Sequence, residues 1–232
     1  MGISLLIGVA LLLVLAAGSP DRSGAGGASG GGGGLSAIRA RALAILVELL
    51  PASYPSTRFE RIVGAGFSPA TSAGTTCGAL PGTMGRMLGD PTGITKYGVP
   101  GVETEGRRRG AWIEAASGRE PKPGDIYLTE YIDGPYAGMV AHTGVVTEVN
   151  GSTWITADAG QGPAESPRAE YVTRQYDRQT QILTRDGVSR RVRGWIDLDK
   201  AMAAVPRSAR QASWMRDGEV WPCDPAECRV RQ

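Results

Sequence analysis

Apolar positions along the chain follow three different rhythms. Residues Ile3 to Ala17 form an unbroken apolar run apart from Ser4 and Gly8, and the run ends in the small residues Ala16, Ala17 and Gly18. A secretory signal core needs roughly 7 to 15 apolar residues and a bilayer-spanning helix roughly 20, so the length favours a signal peptide over a stable anchor. From Ser36 to Leu50 the rhythm becomes helical, with Ile38, Ala42, Ile45, Leu46 and Leu49 on one stripe, Arg39, Arg41 and Glu48 off it, and Pro51 as the stop. That stripe reads as core packing. Met84, Met87 and Leu88 repeat the helical spacing before Gly89, which predicts a short helix starting near Leu80 with Pro81 in its first turn. Cys77 then falls at or just before the helix start, where Thr75 and Thr76 are acceptable caps.

Beyond Pro121 the period shortens to that of strands. Residues 125–129, 139–149 and 152–158 read as three strands, the last two joined by Asn150-Gly151, a strong signal for a tight hairpin turn. A second hairpin joins 181–185 to 188–196 through Asp186-Gly187. Helices first and antiparallel strands afterwards predict an α+β domain, with N-terminal helices packed on one face of a small antiparallel sheet.

Between Gly18 and Gly34, nine of seventeen residues are glycine, a composition that cannot bury enough apolar surface to offset its ordering entropy. The expected organisation is therefore a signal or signal-anchor at 1–18, a flexible linker at 19–35, a folded domain at 36–200 and a polar tail at 201–232. Export follows, to the periplasm, the exterior or a membrane tether, with the membrane engaged only through the N-terminal apolar segment. Gly2 does not make a myristoylation signal, because Leu6 stands where that motif requires Ser or Thr.

Charge narrows the field of partners. Twenty-five basic residues against 23 acidic ones leave a formal charge of +2, too small to imply nucleic acid. The cluster Arg107-Arg108-Arg109 reads as a solvated loop, with contact to an anionic polymer surface as its functional alternative. No cofactor is implied, and a monomer is expected.

Of three cysteines, Cys223 and Cys228 sit close together in the tail. An exported protein can oxidise such a pair, and closing so short a loop stabilises by roughly 2 kcal/mol in the chain-entropy model. Cys77 is the odd thiol, which in an oxidising compartment is either buried and inert or kept for chemistry. The protein has one histidine, His142, inside the second predicted strand. A nucleophilic thiol needs a base, and His142 is the only imidazole available. A free thiol titrates near about 8.5, and an adjacent imidazolium plus a helix start can lower that by several units.

Around these two residues the chain reads Thr76-Cys77, then Lys122-Pro123-Gly124-Asp125-Ile126-Tyr127, then His142-Thr143-Gly144-Val145-Val146. This order resembles the NlpC-like and CHAP-like cysteine amidases and peptidases over residues 65–199. The resemblance implies a papain-like fold and amide hydrolysis, most commonly in peptidoglycan stem peptides. In that implied site Cys77 attacks the carbonyl carbon, His142 acts as base and then acid, and the backbone N–H of Cys77 helps bind the oxyanion. The aspartate or serine that many relatives carry beside the cysteine is missing.

The residue that orients the imidazole is sought on the strand after His142, where Thr156, Asp158 and Gln161 are candidates. Asp158 is preferred because a carboxylate both sets the tautomer and stabilises imidazolium. A strict two-residue loop at Asn150-Gly151 puts Ala159 opposite His142, so a bulge or a three-residue turn is expected to bring Asp158 opposite instead. Trp112, Trp154 and Trp195 read as core, and Asp158 to Gly162 as a loop at the strand end, with substrate contact as its functional alternative.

Three competing functions remain. A non-catalytic binding module of the cell envelope would keep Cys77 unreactive. A zinc site formed by Cys77, Cys223, Cys228 and His142 has loose ligand spacing in the tail pair, and no metal is expected. A thiol hydrolase of the same chemistry could also act on a substrate outside the cell wall.

Overall fold

The structure, a computed structural model, describes residues 34–64, 67–68, 76–91, 93–95 and 98–209. The apolar N-terminal run, the bulk of the glycine-rich linker and the Cys223/Cys228 pair lie outside the described residues. Helix α1 (Ala37–Leu49) begins where Ser36 accepts a hydrogen bond from the Arg39 N–H, and it buries Ala42, Ile45, Leu46 and Leu49. Strand β1 (Ala52–Ser53) and helix α2 (Thr57–Val63) follow. A 3-10 turn at Thr76–Gly78 then runs directly into helix α3 (Ala79–Met87), which accommodates Pro81 because the first-turn N–H groups have no helical acceptor. Helix α4 (Gly98–Arg108) and strand β2 (Trp112–Glu114) precede the main sheet: β3 (Ile126–Glu130), β4 (Val140–Asn150), β5 (Thr153–Gln161), β6 (Arg168–Asp177), β7 (Ile182–Arg185) and β8 (Val188–Ile196). Helix α5 (Leu198–Ala203) comes last. Among the described residues, no helix is long and apolar enough to cross a membrane.

The strands close on themselves. Neighbours run β3–β4–β5–β6–β7–β8, and β8 returns to pair with β3, so six antiparallel strands form a closed barrel. Strand β1 extends the edge of β6 and β2 extends the edge of β8, beside the short β7 that completes the ring. This overturns the expected α+β architecture of papain-like type, in which helices cover one face of a small open sheet. The physical reason lies in the strand faces. Ile126, Leu128, Val145, Ala157, Ala159 and Ile196 point outward into the core shared with the helices. Tyr127, Val146, Trp154, Tyr176, Leu183, Val192 and Trp195 form a second cluster inside the barrel. A sheet whose two faces both carry large apolar groups must cover both, and closure does this for the inner face. Inside, Trp154 stacks on Tyr176 at 4.3 Å between centroids and meets Trp195 edge-on at 6.3 Å.

Two charge clusters depart from the sequence reading. Arg39 lies on the buried side of α1, where it reaches Asp125 at 2.7 Å, Asp197 at 3.0 Å and Asp199 at 2.6 Å. This ties α1 to the Pro-Gly-Asp turn and to α5. Asp125 also accepts from the backbone N–H groups of Lys122 and Leu198, so the aspartate of that motif is architectural. The Arg107–Arg109 cluster is solvated at Arg107 and Arg108 but is not a loop. It closes α4, where Arg107 pairs with Glu103 and Glu114, Arg108 with Glu105, and the buried Arg109 with Glu105 and Asp90. Its charge is met within the fold.

Candidate active site

Cys77 occupies the 3-10 turn that opens α3, and its side chain is buried. The turn packs against both β4 and β5. Gly160, in β5, makes that approach possible: its φ is +74°, and a Cβ there would come within 2.5 Å of Thr76 Oγ1 and 3.4 Å of the Cys77 nitrogen. Thr95 steadies the helix start by donating to the Gly78 carbonyl at 2.8 Å. No side chain caps the first turn at Gly78.

His142 stands on β4 with its ring directed into the barrel mouth, and its side chain is 18 % exposed. The thiol of Cys77 lies near enough to the imidazole to help raise its titration. Nε2 of His142 lies 2.9 Å from Asp158 Oδ1. A carboxylate accepts, so Nε2 carries the proton there, and Nδ1 is the nitrogen left to meet the sulfur.

The register that produces this contact is neither of the two expected. Asn150 pairs with Thr153, and Thr147 drops out of the ladder as a bulge, so Val146 faces Thr156 and Val145 faces Ala157. One residue further along that register sets Asp158 beside Gly144, and His142 is the diagonal neighbour on the same face. The carboxylate therefore crosses over Gly144 to reach the imidazole. A Cβ at Gly144 would sit 2.0 Å from Asp158 Oδ1, 2.8 Å from the Ala157 carbonyl and 3.0 Å from Tyr127 Cε1. Glycine two residues after the histidine thus has a direct steric role.

Asp158 is fully buried and saturated with donors. Oδ1 accepts from Tyr127 Oη at 2.5 Å as well as from His142, while Oδ2 accepts from Thr156 Oγ1 at 2.6 Å and Arg174 Nη2 at 2.9 Å. Arg174 also donates to Thr156 Oγ1 at 3.1 Å. Burial pushes the Asp158 carboxyl up, but the Arg174 charge, the imidazole and the Thr156 hydroxyl outweigh it and hold the group well below the usual carboxylate range. Burial likewise pushes the His142 imidazolium down, yet Asp158 and Cys77 together raise it from 6.5 to about 9. Burial and the adjacent carboxylate push the Tyr127 phenol up, so it remains a neutral donor. The arrangement is a protonated imidazole held by a fixed, buried anion, with the Cys77 thiol beside it.

Of the other candidates, Thr156 reaches the imidazole only through Asp158, and Gln161 donates to the Ala159 carbonyl at 3.3 Å. Trp154 and Trp195 belong to the barrel core, and Trp112 packs against the helical core. The zinc set would need Cys223 and Cys228, which lie outside the described residues. Among the described residues no three His, Cys, Asp or Glu side chains converge as metal ligands.

Sequence reasoning missed Arg174, because β6 carried no strand signal strong enough to be read, and it missed the service of Tyr127 as a donor. Both project inward from strands whose neighbours are set by closure of the barrel.

A cavity of about 320 Å³ opens over His142, lined also by Thr129, Gln161, Arg174, Arg185 and Arg190. A larger one of about 630 Å³ lies by the β4–β5 turn among Trp154, Tyr176 and Arg178. The smaller is the candidate site, since the imidazole lines it. Comparisons with protein-family models, curated proteins and solved structures found no match.

Proposed function

We propose that this protein is a cysteine-dependent amide hydrolase, and that its substrate is the peptide portion of peptidoglycan. The carrying observation is the hydrogen bond from His142 to Asp158, anchored in turn by Tyr127, Thr156 and Arg174, with Cys77 near enough to the imidazole to affect its titration. Such a series supports nucleophilic catalysis because each member restricts the next: Arg174 keeps Asp158 ionised, Asp158 keeps Nε2 protonated, and Nδ1 is left to exchange a proton with sulfur. The peptidoglycan assignment rests on the resemblance of the motifs around Cys77, Asp125 and His142 to the NlpC-like and CHAP-like amidases. Export through the Ile3–Ala17 segment belongs to the same proposal, since that substrate lies outside the cytoplasm.

In the proposed reaction the Cys77 thiolate adds to the amide carbonyl carbon, forming a C–S bond while the carbonyl π electrons move to oxygen. The Cys77 backbone N–H donates to that oxyanion. Collapse of the tetrahedral adduct expels the amine, which takes the proton from His142 Nδ1, and leaves a thioester on Cys77. Water then loses a proton to the now neutral imidazole as it attacks the thioester carbon. The carboxylic acid departs, and the thiolate–imidazolium pair is restored.

Incubation with purified peptidoglycan, with mass spectrometry of the soluble products, tests the reading. The wild-type chain should release peptide fragments bearing new amine and carboxyl termini, and Cys77→Ala should release none. The same fragments from both proteins would remove Cys77 from the mechanism.

A further inference from the structure

We propose that the barrel mouth beside His142 is a recognition site for a carboxylate carried by the substrate, with Arg190 as its principal cation and Arg185 and Gln161 at its flank. The inference rests on the amidase reading above and adds to it the chemical class of the group next to the scissile bond.

The cavity over His142 is lined by three arginines, and they differ in how their charge is met. Arg174 is neutralised by the buried Asp158. Arg185 donates to Gln161 Oε1 at 2.6 Å and lies 3.0 Å from Asp186 and 3.4 Å from Glu170. Arg190 has no carboxylate partner among the described residues. It donates to the Ser189 carbonyl at 3.0 Å, and its guanidinium is held over the Tyr131 ring at 4.4 Å from the centroid. A cation–π contact orients a guanidinium without cancelling its charge, and it leaves donor edges for an anion. Its neighbours along β8 are treated otherwise, since Arg191 pairs with Glu130 and Arg193 with Glu103 and Glu130.

The acidic groups facing the mouth do not offset this. Asp186 is 82 % exposed and solvated, and Glu170 is within reach of Arg185 alone among these three arginines. At neutral pH the same cavity is also lined by the His142 imidazolium. A concave site walled by a guanidinium and an imidazolium concentrates anions through field focusing. A planar guanidinium also matches a carboxylate in two-point geometry, which a lysine would not. A substrate carboxylate on Arg190 would therefore set the neighbouring amide against His142.

A pair of alkylating reagents tests this without a known substrate. Iodoacetate and iodoacetamide both place a –CH₂– on sulfur and release iodide, and they differ in charge. The second-order rate constants for each are measured on the full chain near neutral pH by mass spectrometry of the peptide containing Cys77. In the wild type the ratio of iodoacetate to iodoacetamide rates should exceed that of a small free thiol. Arg190→Gln should lower the ratio by about threefold or more at low ionic strength, and Arg190→Lys, which keeps the charge, should largely restore it. Salt near 1 M should compress the difference, as a screened charge requires. A ratio unchanged in Arg190→Gln overturns the carboxylate site while leaving the nucleophile reading intact. A Cys77 inert to both reagents overturns the nucleophile reading, and the carboxylate site with it.

Discussion

Replacing Asp158 with Asn removes one negative charge from a side chain that accepts four hydrogen bonds, while leaving its size almost unchanged. The imidazolium loses its nearest counter-charge. With charge centres about 4 Å apart and an effective dielectric near 20, that attraction is worth about 4 kcal/mol, or ~3 pH units on the titration of His142. The ring is 18 % exposed, so solvent screens part of this. The amide oxygen can also still accept from Nε2. The expected midpoint therefore falls from about 9 by roughly 2 pH units, to near 7. His142 is the only histidine in the chain, so its ring protons stand alone in an NMR pH titration. The same substitution strips the counter-ion from Arg174, whose side chain is only 12 % exposed, and should lower folding stability by about 3–5 kcal/mol in urea unfolding. A folded Asp158→Asn protein whose imidazole still titrates near 9 would refute the claim that this carboxylate holds the proton on the ring.

Further outcomes can be measured on the same protein. A histidine raised from 6.5 to about 9 stabilises the fold fully below pH 6.5 and loses that contribution as pH rises through 9, an effect of about 3 kcal/mol. Asp158, being lowered, contributes above its ordinary titration range and loses that contribution in acid, below it. Urea unfolding across pH should therefore show an alkaline decline in the wild type that is much reduced in Asp158→Asn, and parallel curves for the two would contradict the linkage. Gly144→Ala places a methyl group 2.0 Å from Asp158 Oδ1. It should cost about 1–3 kcal/mol and displace the carboxylate from His142, so peptidoglycan release should fall with it. An alanine variant of full stability and activity would show that the carboxylate does not need the glycine. Arg39→Met leaves Asp125 and Asp197 buried without their cation and should destabilise by about 3–5 kcal/mol, with no change in the His142 titration. A shifted imidazole in that variant would mean that the α1 cluster and the site are coupled.

Helical and hairpin elements were legible because their signals are local. The α1 stripe from Ala42 to Leu49 is a period-3.6 pattern, and its cap Ser36 precedes it directly. The Asp186-Gly187 turn has φ of 49° and 77°, the paired positive angles that the dipeptide favours. Both strands of that hairpin follow from it. The buried Arg39 was not legible, because a charged residue on the core side of a helix makes sense only once three aspartates from distant turns have converged on it. Strand β6 was unreadable for a related reason. Its residues Arg168 to Asp177 alternate weakly, and half of what they face is supplied by β5 on one edge and β1 and β7 on the other.

For the site, the sequence alone determined which groups were available: one imidazole, one thiol ahead of the strands, and a carboxylate sixteen residues beyond the histidine. Only the tertiary structure decided how they meet. Closure of the barrel brought Arg174 and Tyr127 to bear on Asp158. The bulge at Thr147 chose which residues of β4 point inward, bringing His142 to the face that carries Asp158, and the missing side chain at Gly144 let the carboxylate reach diagonally to His142. Composition and spacing are properties of a chain read in one dimension. Strand register and closure depend on contacts between residues far apart in sequence, and a one-residue slip in either would send the carboxylate to the opposite face.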